Sequence, residues 1–171
     1  MFWKTKTNGA FRCVRLIGSL AFKTPYVFNF RQLKSDWRRF GRPKSISWLW
    51  KTWCGLFHEN CMSNQAEVQR WQEWQRKGAQ KMSGVGLCPI LFHLPRGLLV
   101  VMRKADPVPE GRVDKDQDLM SNGFVTFEEM QAAAILMGKN TDTGKADTYG
   151  LVNGGLVVTD YGSFVPKPKN S

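Results

Sequence analysis

The stretch NTDTGKADTYGLVNGGLVVTDYG, running from Asn140 to Gly162, decides how this chain is read. Gly155-Leu156-Val157-Val158-Thr159 is a gapless apolar and β-branched run, which reads as a strand. Asn153-Gly154-Gly155 in front of it signals a turn, because Asn and Gly adopt positive φ at little cost. Tyr149-Gly150-Leu151-Val152 then supplies the other arm of a hairpin. Asp160 follows the strand and opens an Asp-Tyr-Gly tripeptide whose glycine permits a sharp change of direction. Asp142 and Asp147 stand in the loop before the hairpin, five residues apart, and Asp160 follows Asp147 by thirteen.

Upstream, Thr126-x-x-Glu129 is a capping-box pattern, and Met130, Ala133, Ala134 and Met137 form one stripe of the helix it opens. Gly138 ends that helix. Asp106 to Ser121 carries two prolines and charges of alternating sign, and reads as a surface loop. Cys88 to Met102 holds two apolar runs around Pro95-Arg96-Gly97, a second hairpin. Asn64-x-x-Glu67 is another capping-box pattern, for a helix reaching about Lys77 with Val68, Trp71 and Trp74 facing inward. His93 lies on an apolar strand without a nearby acid and reads as structural.

This order resembles protein kinases and aminoglycoside-phosphotransferase-like kinases. There a catalytic aspartate precedes a metal-binding asparagine by five residues. An Asp-Phe-Gly aspartate follows across a hairpin. The resemblance implies Asp142 as catalytic base, Asp147 and Asp160 as Mg²⁺ ligands, and Met102-Arg103-Lys104-Ala105 as the hinge beside a nucleotide, with Met102 and Ala105 as cofactor-binding positions. It also implies a lysine on a third strand and a helix glutamate as its partner. Lys51, after the alternating Ile46-x-Trp48-x-Trp50, is the lysine candidate, although a helical pattern fits the same residues better. Glu67 and Glu73 are both candidates for the partner. This chain has Asn140-Thr141 where the family has His-Arg or His-Gly. No glycine-rich loop is evident, and the nine residues after Gly162 hold no substrate platform.

The front of the chain is different in kind. Residues 1–58 carry twelve Lys/Arg against a single acid, Asp36, while the rest carry thirteen of each sign. So basic a block favours a polyanion or an acidic protein as partner. Residues 1–29 read as a basic arm. Residues 30–58 read as two amphipathic helices with aromatic inner faces, Phe30 to Phe40 and Ile46 to Phe57. Arg31, Lys34, Arg38, Arg39, Arg42 and Lys44 are the candidate polyanion-binding residues. Cys54, His58 and Cys61 could give three metal ligands, but no fourth is evident, and free thiols in a reducing compartment are expected. No apolar run reaches membrane-spanning length, and no signal peptide is recognisable. A cytoplasmic location follows, in a host cell or in a virion if the chain is phage-encoded, as small and very basic chains of this kind look to be.

The expectation is therefore an α+β chain with a kinase-like core at 64–162, a basic helical region before it and an extended tail at 163–171. It is expected to be a degenerate kinase-fold protein acting by binding, with no cofactor and little Mg²⁺–nucleotide affinity. The alternatives are a Mg²⁺-dependent phosphotransferase using ATP through Asp142 and Asp160, and a structural virion component or nucleic-acid-binding protein.

Overall fold

The computed structural model describes residues 4–6, 12–25, 46–114, 122–138 and 143–161. Strands β1 (Lys4–Lys6), β2 (Arg12–Ile17) and β3 (Leu20–Pro25) form an antiparallel run. Helix α1 (Ile46–Arg76) follows, then β4 (Gly86–Leu87), β5 (Ile90–His93) and β6 (Val100–Arg103). Helix α2 (Phe127–Met137) leads to β7 (Tyr149–Val152) and β8 (Gly155–Val158). The larger sheet has the order β1-β2-β3-β6-β5, and the smaller has β4-β8-β7. All pairs are antiparallel except β4 with β8. The architecture is α+β, as the sequence indicates.

Both expected hairpins are present. β7 and β8 pair around Asn153-Gly154, whose φ values of 51° and 75° are what the asparagine and glycine permit. β5 and β6 pair across the turn Pro95–Gly97. Gly97 has a φ of 70°, and a Cβ there would lie 2.1 Å from the Cys61 carbonyl oxygen of α1. Only glycine lets this turn approach the helix so closely. Asn64 fixes the approach by donating to the Gly97 carbonyl at 2.8 Å.

The front of the chain departs from expectation. Residues 12–25 are a hairpin built into the larger sheet, with Leu20 to Lys23 of β3 paired to Val100 to Arg103 of β6. An arm is not what the chain forms here. The turn at Gly18-Ser19 joins two runs whose alternation is partly masked by lysine and arginine. β3 nevertheless alternates, with Ala21, Lys23 and Pro25 buried and the residues between them half-buried. The helices expected at 46–57 and from 64 onward are one helix of 31 residues. Gly55 does not end it, because an interior glycine costs a helix only about 1 kcal/mol and no proline intervenes. Asn64 and Glu67 do not cap. They lie mid-helix, fully buried, with tertiary partners. Trp50, expected on an inner face, is 64% exposed. The helix expected at 30–40 lies outside the described residues.

α2 forms as its sequence dictates. Thr126 accepts from the Glu129 amide and Glu129 accepts from the Thr126 amide, which closes the capping box, and Gly138 ends the helix in the left-handed region. The core lies between α1, α2 and both sheets, where Val85, Val100, Val125, Met137 and Val158 are fully buried.

Candidate functional site

The centre of the molecule holds a buried ion pair. Lys23 Nζ on β3 donates to Glu67 Oε1 on α1 at 2.7 Å, with side-chain exposures of 8% and 0%. The same ammonium donates to the Thr159 carbonyl at 2.7 Å. Thr159 is the residue between β8 and Asp160. Each partner arrives for a local reason. β3 pairs with β6, which puts Lys23 opposite Val100 in the middle of the sheet. α1 turns Asn60, Asn64 and Glu67 to one buried face, at the spacing of successive turns. Lysine has three N–H donors, and two are used here.

Lys23 was not among the residues singled out from sequence. Two signals bear on it. Alternation runs through Leu20 to Pro25, and a lysine sits at one of its inward positions. Lys51, the candidate named above, lies within α1, and its side chain is outside the described residues. Of the two candidate acids, Glu67 is paired and Glu73 is exposed.

The two expected metal ligands that are described come to one end of the β7–β8 hairpin. Asp147 lies in the short turn Ala146–Thr148 that leads into β7, and both Asp147 and Asp160 are exposed. Thr159 ties them together. Its amide donates to the Thr148 carbonyl at 2.8 Å, and its hydroxyl donates to the carbonyls of Asp147 and Thr148 at 3.1 Å each. It is the backbones of these two aspartates that meet at this end, and aspartate carboxylates are oxygen ligands of the kind a hard cation takes. Asp142 lies outside the described residues. Among the described residues no three acids, histidines or cysteines converge as a metal group. That holds for Cys54, His58 and Cys61: Cys61 is buried, with its thiol pushed up by burial, while Cys54 is exposed.

Tyr161 is wholly buried, and its hydroxyl donates to the Cys88 carbonyl at 2.8 Å. Burial pushes its phenol well up, and the nearby Glu67 and Cys88 add to that. Cys88 is itself a junction. Its amide donates to the Val158 carbonyl at 2.9 Å and its thiol to the Arg103 carbonyl at 3.1 Å. Burial pushes that thiol up to about 11, with Glu67 adding to the rise against the charges of Lys23 and Arg103. Asp160 is thus held between a residue bonded to Lys23 and a side chain anchored in the core. At the start of β7, Tyr149 donates to the Thr143 carbonyl at 2.7 Å and holds the loop that precedes Asp147.

The segment after β6 is closed onto the smaller sheet. Asp106 and Leu151 exchange amide hydrogen bonds of 2.9 and 2.8 Å. A Cβ on Gly150 would lie 2.5 Å from that of Ala105. Met102 is buried in the core, and Ala105 is half-buried against β7. The six candidate polyanion-binding residues, Arg31, Lys34, Arg38, Arg39, Arg42 and Lys44, lie outside the described residues. No described helix is long and apolar enough to cross a membrane. No family model, no curated protein and no solved structure matches the chain.

Proposed function

We propose that this chain is a kinase-like protein whose Lys23 receives the phosphates of a Mg²⁺–nucleotide, for phosphoryl transfer to a hydroxyl group. The observation that carries the reading is the buried Lys23–Glu67 pair, held against the carbonyl that precedes Asp160-Tyr161-Gly162. Kinase-like proteins carry a third-strand lysine paired with a helix glutamate near the Asp-Phe-Gly aspartate. Lys23 takes that role in this reading, in place of Lys51. With the lysine supplied, the expectation of little nucleotide affinity loses one of its two grounds and keeps the other, that no glycine-rich loop is evident in the sequence.

Energetics support a use beyond stability. A sheet and a helix are held together as well by apolar side chains, because the desolvation of a buried ion pair offsets its attraction. What the pair provides is an oriented ammonium with one N–H left to give. Asp147 and Asp160 would hold Mg²⁺, which would neutralise charge on the phosphates. Asp142 would accept the proton of the attacked hydroxyl. Asp147 stands where the family has asparagine and offers an oxygen ligand in its place. Tyr161 anchors the tripeptide through a hydrogen bond that phenylalanine cannot make.

Calorimetry with ATP and Mg²⁺, separately and together, tests the proposal on the wild type and on Asp160→Ala. Wild-type binding of Mg²⁺–ATP that the variant loses is the expected result. A wild type that binds no nucleotide under any condition sinks the reading.

The charge of residues 1–58 favours a second reading. A kinase-fold protein without turnover would use that surface to dock a polyanion or an acidic protein. Twelve cations against one acid is the supporting observation.

A further inference from the structure

We infer that Thr159 is a positioning residue that sets Asp147, Asp160 and Lys23 in register with one another. The inference rests on the nucleotide reading above, and it assigns a role to a residue that no motif singles out.

Thr159 uses every group it has. Its carbonyl accepts from Lys23 Nζ at 2.7 Å, which fixes where the ammonium points. Its amide is bonded to the Thr148 carbonyl at 2.8 Å, which extends the β7–β8 ladder by one step. Its hydroxyl hydrogen is shared between the carbonyls of Asp147 and Thr148, both at 3.1 Å. Its methyl lies 3.2 Å from where a Cβ on Gly150 would be, so it fills the space that the glycine leaves. Asp160 follows directly, so its backbone starts from a residue tied on three sides.

These bonds do different things. The carbonyl bond serves Lys23 and survives any side-chain change. One hydroxyl bond serves Asp147, whose exposed turn is also linked to β8 by the amide bond from Thr159 to Thr148. Removing the hydroxyl takes away the bond to the Asp147 carbonyl while Lys23 stays bound. Metal binding that draws on Asp147 and Asp160 would feel that change. Phosphates held by Lys23 alone would not.

Thr159→Val keeps the shape and methyl packing and removes only the hydroxyl. Thr159→Ser keeps the hydroxyl and removes the methyl. The full-length chain is titrated with Mg²⁺–ATP, with ATP in EDTA and with Mn²⁺ alone, and melted in parallel. Thr159→Val should weaken Mg²⁺–ATP and Mn²⁺ about tenfold, the effect of losing one well-placed hydrogen bond. Its affinity for metal-free ATP should stay within about twofold of wild type. Thr159→Ser should bind metal within about twofold of wild type. Metal affinity unchanged in Thr159→Val overturns the inference while leaving the nucleotide reading intact. Equal loss with and without metal also overturns it, since that is the pattern of general damage to the hairpin. A wild type that binds neither nucleotide nor metal removes both readings, and its melting temperature tells that outcome from a misfolded sample.

Discussion

Replacing Lys23 by methionine should destabilise the fold far more than replacing Lys23 and Glu67 together. The single variant leaves a carboxylate with 0% side-chain exposure without the ammonium now 2.7 Å from it. Breaking a buried ion pair in this way costs about 3–5 kcal/mol. For a chain of this length each kcal/mol lowers the melting temperature by roughly 2–4 °C, so the loss is about 6–20 °C. In Lys23→Met/Glu67→Leu both charges are gone and the volumes are nearly kept. Such exchanges range from neutral to about 4 kcal/mol stabilising. The double variant should therefore melt at or above the wild type, giving a coupling energy of at least about 3 kcal/mol in the cycle. Thermal and urea unfolding of all four proteins provide the measurement. Calorimetry with Mg²⁺–ATP on the double variant then separates fold from function, because it is folded and lacks the phosphate ligand. Two results refute the reasoning. If the double variant loses as much as the two singles added together, the two charges are not energetically coupled. If it is stable and still binds Mg²⁺–ATP as the wild type does, Lys23 does not hold phosphate.

Gly97→Ala should cost at least about 2 kcal/mol by strain and overpacking, since its Cβ would meet the Cys61 carbonyl at 2.1 Å; a melt within 1 °C of wild type would contradict that approach. Arg112 makes a bidentate pair with Glu129 at 2.7 and 2.8 Å. Burial pushes the Glu129 carboxyl up, but the Arg112 bonds and charge and the Thr126 cap together hold it below its ordinary value. With a folded-state pKa below the unfolded one, this stabilisation is full above about pH 5 and fades as pH falls through the carboxylate range. Arg112→Ala should thus destabilise at pH 7, and its gap from wild type should close toward pH 3 in melts across that range. For the basic front, Arg31, Lys34, Arg38 and Arg39 changed to glutamate should flatten the salt dependence of heparin binding. Deleting residues 1–58 is no test of that surface, because it would remove β2, β3 and Lys23.

The sequence shows the back of the fold better than the front for a physical reason. Near Asn153-Gly154, Pro95-Arg96-Gly97 and Thr126-x-x-Glu129, local chemistry and tertiary structure ask for the same conformation, so turn and cap residues predict what forms. Asn64-x-x-Glu67 carries the same letters as a capping box, yet both side chains are spent on tertiary partners 33 and 44 residues away. No local pattern distinguishes an asparagine that caps a helix from one that clamps a distant turn. Lys23 is obscured in the same way. A buried lysine breaks the apolar alternation by which an inward-facing strand is recognised, and it does so because a glutamate elsewhere in the chain neutralises it. Much of the basic character of residues 1–58 suggests an exposed surface, but Lys23 within it is 6% exposed and belongs to the interior. Counting charge by sequence segment therefore assigns to a docking surface a cation that the fold uses at its centre. The polyanion reading must rest on the other eleven cations, and the nucleotide reading on this one.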